Sequence, residues 1–401
     1  MKSEWEKIKL KKVIVTNEQV YSPKENWDYV NYLDTGNITE NKINEIQHLD
    51  LSKVKLPLRA RRKVKYNDIV YSTVRPNQRH FGIIKDVPKN FLVSTGFTVI
   101  STDSRKANSD YIYYLLTQSD VVEYLHTIAE QSVSAYPSIK SSNIEEIEVY
   151  LPSLDTQNKI VSVLMAISDK IALNNRINDN LEQQARMLYK AWFLDFEPFG
   201  GVMPTSWMLS TLGNVATIKT RSFSPKKNPS VILEHYSIPA YDEKHYPVFE
   251  LAEGVKSNKY ILTSASVMIS KLNPDTKRIW RPFCLSDNPV CSTEFIIYEA
   301  TNFEYKDFVY SIIDSTPFSD YLCAHTTGST NSRQRATPSV TLDFPIIVAD
   351  DAVIKDFCGL VTPMYDHIAT NICESQQLAA LRDSLLPRLM SGELDVSNID
   401  L

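Results

Sequence analysis

The stretch IALNNRINDNLE, Ile171 to Glu182, lies inside a run that otherwise repeats apolar residues at helical spacing. Reading outward, the seam is Ile160, Leu164, Ile167, Ile171, Asn174, Asn178, Leu181, Ala185, Leu188 and Trp192. Steps alternating four and three over about five heptads are the signature of a coiled coil. Ser153 is placed to cap the start, and Pro198, Gly200 and Gly201 stop the run. A second stretch, IATNICESQQLA (Ile368 to Ala379), replays the pattern through Phe357, Val361, Met364, Ile368, Asn371, Ser375, Leu378, Arg382, Leu385 and Leu389. Pro387 is expected to kink this second helix near Leu386. A helix of about 36 residues is roughly 54 Å long, and neither stripe is stable alone in water. The simplest arrangement pairs the two helices antiparallel. Asn174, Asn178 and Asn371 would then fix register, because a slipped partner leaves a seam amide unsatisfied. The other reading has Asn174 and Asn178 facing solvent at a loose end.

The repeat extends beyond the helices. LVSTGFTVIST (Leu92 to Thr102) resembles VCSTEFIIYEA (Val290 to Ala300), and DYIYYLLTQSDVVEYL from Asp110 resembles DFVYSIIDSTPFSDYL from Asp307. DIVYSTVRPNQRHFG from Asp68 parallels SVMISKLNPDTKRIW from Ser266, and Trp5 parallels Trp207. Matches in the same order at an offset near 197 residues mean two copies of one unit. Short β-branched and aromatic runs such as DIVYSTV read as strands, and YIYYLLTQSDVVEYLHTIA reads as helix. The fold class is therefore α+β: two tandem-repeated α+β domains separated by a long antiparallel two-helix coiled coil. The expected boundaries are 1–152, a central helix at 153–197, 198–348, and a C-terminal helix at 349–401.

Composition bounds the rest. The chain has 401 residues, 43% hydrophobic and 23% charged, an ordinary globular balance long enough for two cores. MKSEWEKIKL lacks the apolar stretch of a signal peptide, and no run of eighteen apolar residues exists. The five cysteines form no C-x-x-C pair, so a reduced cytoplasmic location is expected. The net charge of −5 argues against indiscriminate coating of nucleic acid, while leaving room for a local basic face.

Two long segments carry a family resemblance. LPSLDTQNKIVSVLMAISDKIALNNRINDNLEQQARMLYKAWFLDFEPF (Leu151 to Phe199) resembles the central conserved helix of the specificity subunit of type I restriction-modification enzymes. LAALRDSLLPRLMSGELDV (Leu378 to Val396) resembles its C-terminal conserved region. The resemblance implies two target-recognition domains, each reading a few base pairs of a bipartite double-stranded DNA target. It implies assembly with two methylation subunits that use S-adenosylmethionine, and with restriction subunits that translocate DNA with ATP and magnesium. This chain itself would bind no cofactor.

Independent of the resemblance, charge is local. Lys53 to Lys89 holds eleven Lys or Arg and two Asp. Such a stretch supplies salt-sensitive phosphate affinity through counterion release. Arg59, Arg61, Arg62 and Lys63 are its candidate phosphate contacts. The loop RPNQRH adds Arg75, Asn77, Gln78, Arg79 and His80. Arg matches guanine O6 and N7, and the amides match adenine N6 and N7. The second unit offers Lys277, Arg278 and Arg281, and the loop TTGSTNSRQRATPS with Ser329, Thr330, Asn331, Arg333, Gln334 and Arg335. The first unit's corresponding loop has Gln131, Ser134 and Tyr136; it lacks the glycine that family members carry there. The structural alternative is a solvated basic surface. Tyr111 and Tyr114 are expected in the core.

No catalytic motif is found. The chain has no G-x-x-x-x-G-K-[ST] loop, no G-x-G-x-x-G, no N/D-P-P-Y/F loop and no H-x-x-x-H. Asp195 and Glu197 lie close at a helix end, where docking on a partner is a simpler reading than metal binding. Three functions stay open on residues alone: a DNA-reading subunit, a two-ended protein scaffold, and a DNA enzyme with its own active site.

Overall fold

A computed structural model describes residues 5–131, 137–327 and 334–396. The chain is α+β, and its contacts divide it into two compact units. The first comprises Met1–Asp169 with Leu378–Leu401, the second Lys170–Gln377.

In the first unit an antiparallel sheet runs in the order Ile14–Thr16, Phe97–Thr102, Ile69–Ser72, Phe81–Ile83. A second sheet runs Gln47–Asp50, Tyr29–Leu33, Phe91–Ser94, Ala60–Lys63, with only Tyr29–Leu33 and Phe91–Ser94 parallel. Leu33, Val70, Val93, Phe97 and Val99 form a cluster drawn from both sheets. On the first sheet pack helices Ser109–Leu116 and Ser119–Glu130, through Tyr111, Ile112, Leu115, Leu116 and Leu125 against Ile69, Tyr71, Phe81 and Ile100. Burying each such side chain contributes about 1.5–3 kcal/mol. Tyr111 is fully buried, as expected, and Tyr114 is half-buried against the same core.

The second unit repeats the plan. Ala216–Lys219, Phe295–Ala300, Ser266–Ser270 and Ile279–Trp280 form the first sheet. The other sheet runs Val248–Leu251, Ile232–Tyr236, Pro289–Ser292, Lys259–Ile261, again with one parallel pair in the same place, and adds Ser222–Phe223 at the edge. Equivalent strands thus occupy equivalent places in each unit.

The long helices are Leu154–Phe193 and Asp351–Met390, 40 residues each, or about 60 Å. Ser153 caps the first, its Oγ accepting from Thr156 N at 3.3 Å. In the second unit the helices pair antiparallel at their asparagines. Asn174 Nδ2 donates to Glu374 Oε2 at 2.8 Å and to Ser375 Oγ at 3.2 Å. Asn371 Nδ2 donates to Asn178 Oδ1 at 2.9 Å. Asn174, Asn178 and Asn371 are 0%, 7% and 4% exposed, which rules out the solvent-facing alternative. Below them Tyr189 and Phe193 are the buried residues, while Leu188 and Trp192 are half-buried. A straight helix of 3.6 residues per turn drifts from a 3.5 repeat, so the seam moves by one position.

The second helix runs on through Pro387. Helix continues to Met390, where Leu389 and Met390 are buried against Ile160, Val161 and Leu164 in the first unit's core. Packing there outweighs one lost hydrogen bond. The helix then stops at Gly392, whose φ of +72° favours glycine, and an added Cβ would lie 3.0 Å from the Trp5 ring. In the second unit Trp207 packs at the end of the central helix, 5.8 Å between ring centroids from Phe193 and 4.7 Å from Phe199.

Candidate nucleic-acid interface

In the first unit four separate segments are laced together by main-chain hydrogen bonds. Thr95 N donates to Arg59 O at 2.8 Å, Thr73 N to Gly96 O at 2.8 Å, and Arg75 N to Pro137 O at 3.0 Å. This brings the basic strand Ala60–Lys63, the turn after Phe91–Ser94, the RPNQR loop and the segment after helix Ser119–Glu130 to one edge.

The cations there are unequally available. Of the eleven basic residues between Lys53 and Lys89, five bind carboxylates: Lys53 to Asp50, Lys63 to Glu25, Lys65 to Glu18, Arg79 to Glu40 and Lys85 to Asp110. Lys63 also lies over the Trp27 ring at 5.3 Å. Lys55, Arg59, Arg61 and Lys89 make no ion pair among the described residues. Arg62 Nη1 is buried with no partner among the described residues, and burial lowers its guanidinium pKa. A partly desolvated cation without a carboxylate is costly to bury.

The loop Arg75–Arg79 is rigidly built. Arg75 and Arg79 both have positive φ, +46° and +56°, and bracket the 3-10 turn Pro76–Gln78. Such backbone is uncommon for non-glycine residues. It is held by Gln78 N to Arg75 O at 2.9 Å, and by the Arg79 side chain, which reaches Glu40 Oε1 and Ser119 Oγ, each at 3.0 Å. His80 Nδ1 stands 2.7 Å from Ile38 O, so its ring braces the neighbouring hairpin. Asn77 and Gln78 are exposed. Gln131 is exposed at the end of helix Ser119–Glu130. Ser134 and Tyr136 lie outside the described residues.

The second unit repeats the lacing. Lys271 N donates to Glu294 O at 2.9 Å, Ala336 N to Lys271 O at 2.9 Å, and Asn273 N to Gln334 O at 3.0 Å. Asn273, φ +48°, stands where Arg75 stands in the first unit. Its basic residues differ from expectation. Lys277 binds Asp314, Arg278 binds Asp242 at 2.6 and 2.9 Å, and Arg281 binds Asp307 at 2.7 and 3.1 Å with Asp366 at 2.9 Å. These three hold carboxylates of their own unit, unlike Arg59 and Arg61 in the first. Arg335 is exposed and pairs with Glu294 at 3.0 and 3.1 Å, and Gln334 is half-buried. Ser329, Thr330, Asn331 and Arg333 lie outside the described residues.

The sequence reading missed other cations. Arg221, Lys226 and Lys227 are exposed along the edge strand Ser222–Phe223 and the turn Pro225–Lys227. None makes an ion pair among the described residues. The signal was present: SPKEN from Ser22 and SPKKN from Ser224 form the same 3-10 turn in each unit. Asp195 is taken by Lys190, and no group of three His, Cys, Asp or Glu among the described residues could hold a metal ion. No described helix is long and apolar enough to cross a membrane.

Comparison with known proteins agrees with this plan. Residues 2–183 match the family described as the type I restriction modification DNA specificity domain. The HindI type I restriction enzyme specificity subunit of Haemophilus influenzae is 34% identical over 168 residues, 42% of this chain and 36% of that protein. The match thus spans about a third of that relative's length. The MjaIX specificity subunit of Methanocaldococcus jannaschii is 26% identical over 416 residues, 94% of this chain and 87% of its own. The crystal structure of a type I restriction-modification system S subunit from M. genitalium has the same fold, with TM-score 0.59, 14% identity and 96% of each chain covered. Two sheet-rich units with long paired helices are the fold shared with that solved structure. The family match covers residues 2–183, a little under half of the chain.

Proposed function

We propose that the chain is the DNA-reading subunit of a type I restriction-modification complex, with no active site of its own. Each unit reads one half of a bipartite duplex target. Arg59, Arg61, Arg62 and Arg75 hold phosphates for the first unit, and Arg221, Lys226 and Lys227 do so for the second. The paired helices serve as spacer and as docking surface for two methylation subunits. Those partners bind S-adenosylmethionine and modify adenine N6, and restriction subunits bind ATP and magnesium. The observation that carries this reading is the twofold recurrence of one construction: loops laced by corresponding main-chain hydrogen bonds at equivalent places in both units, each unit also presenting exposed cations without an ion pair among the described residues. Two like readers on one chain suit a target in two parts.

The test is the methylated motif in genomic DNA from cells carrying this chain with its partners. A split motif with one modified adenine in each half is the expected result. An uninterrupted motif, or none, would overturn the reading. Exchanging residues 1–152 for another member's unit should change one half of the motif only.

A further inference from the structure

The two units share one detail that reassigns which side chains read bases. In the first, the loop opens at left-handed Arg75, turns through Pro76, and ends on Arg79, whose side chain is clamped by Glu40 and Ser119. In the second, the loop opens at left-handed Asn273, turns through Pro274, and ends on Lys277, whose ammonium binds the buried Asp314. The internal bonds also correspond: Gln78 N to Arg75 O at 2.9 Å, and Thr276 N to Asn273 O at 3.0 Å. In both loops the basic residue is the anchor. Two residues before it are exposed: Asn77 and Gln78 in one unit, Asp275 and Thr276 in the other. Their side chains make no hydrogen bond or ion pair among the described residues.

We propose that Asn77 with Gln78, and Asp275 with Thr276, are the specificity-determining pairs of the two units, and that Arg79 and Lys277 position them. This rests on the DNA-reading function proposed above. The loop geometry supports it: side chains that must choose between base edges need a backbone that does not yield, and both loops are fixed at opening, turn and end. Chemistry then assigns each pair a preference. An amide offers one donor and one acceptor, which fits the N6 and N7 edge of adenine. A free carboxylate only accepts, and phosphates repel it. At a DNA surface it is favoured facing an amino group, above all cytosine N4. The first unit is therefore expected to select adenine at the position under its loop, and the second cytosine.

The experiment selects a random duplex library with the purified full-length chain, wild type against Asp275→Asn and Lys277→Met. Wild type should enrich a two-part motif with cytosine under the second loop. Asp275→Asn keeps size and loop, and should lower the preference for that cytosine about tenfold or more, with the other half unchanged. Lys277→Met should blunt selectivity at the same position without replacing it. If wild type enriches a motif that Asp275→Asn leaves intact, the assignment is overturned while the DNA-reading function stands. If wild type enriches nothing, the DNA-reading function itself fails, and the assignment with it.

Discussion

Arg281 meets Asp307 in a two-pronged ion pair, with Nε 2.7 Å from Oδ1 and Nη2 3.1 Å from Oδ2. Asp307 also accepts from Thr362 Oγ1 at 2.7 Å, so strand-end, helix and C-terminal helix converge on one carboxylate. Asp307 is 3% exposed. Removing its cation leaves a buried charge unpaired. Arg281→Ala should therefore lower unfolding free energy by roughly 2–4 kcal/mol in urea titration. DNA affinity per folded molecule should not change. A large affinity loss at full stability would restore Arg281 as a DNA contact.

Arg61 and Arg59 predict the opposite behaviour. Both lack a carboxylate partner among the described residues, so glutamine at either should cost little stability. Each change should lower the slope of log affinity against log salt by about one, uniformly across target sequences. Binding assays from low to moderate salt measure it, and an unchanged slope would exclude phosphate contact.

Asn174 makes the helix pair specific at a cost. Replacing it with leucine should raise thermal stability while permitting slipped pairings. Cysteine pairs placed across residues 170–178 and 368–377 should crosslink in one pattern in the parent and several in Asn174→Leu. A single unchanged pattern in the variant removes the register role.

Glu374 accepts from Asn174 and lies 3.1 Å from Lys170 Nζ, and these hold its carboxyl below the ordinary carboxylate range. A depressed folded value contributes stability above the unfolded pKa, and that stability is lost as pH falls through the folded value. Melting wild type and Glu374→Gln across pH should show the widest gap near neutrality, closing below about pH 4. A gap independent of pH would show that the charge is irrelevant.

The helices and the tandem plan were legible because they are periodic, and Asn174 and Asn371 sit at the same step of the same seam. The first unit's basic edge was legible because Arg59 to Lys63 are contiguous. The second unit's was not. Lys277, Arg278 and Arg281 look free in sequence, yet their carboxylates Asp314, Asp242 and Asp307 come from 26 to 37 residues away. No local pattern announces such pairs. Arg79 is the same case, since Glu40 reaches it through a hairpin 39 positions upstream.

Trp5 and Gly392 stand near opposite ends of the described chain, and they touch. The first unit is thus a loop closed by packing in place of a peptide bond. A cut at Gly200–Gly201, where both residues adopt positive φ and a side chain would meet nothing, disturbs little packing. A circular permutant opened there should keep the Trp5–Gly392 contact and fold the first unit as before.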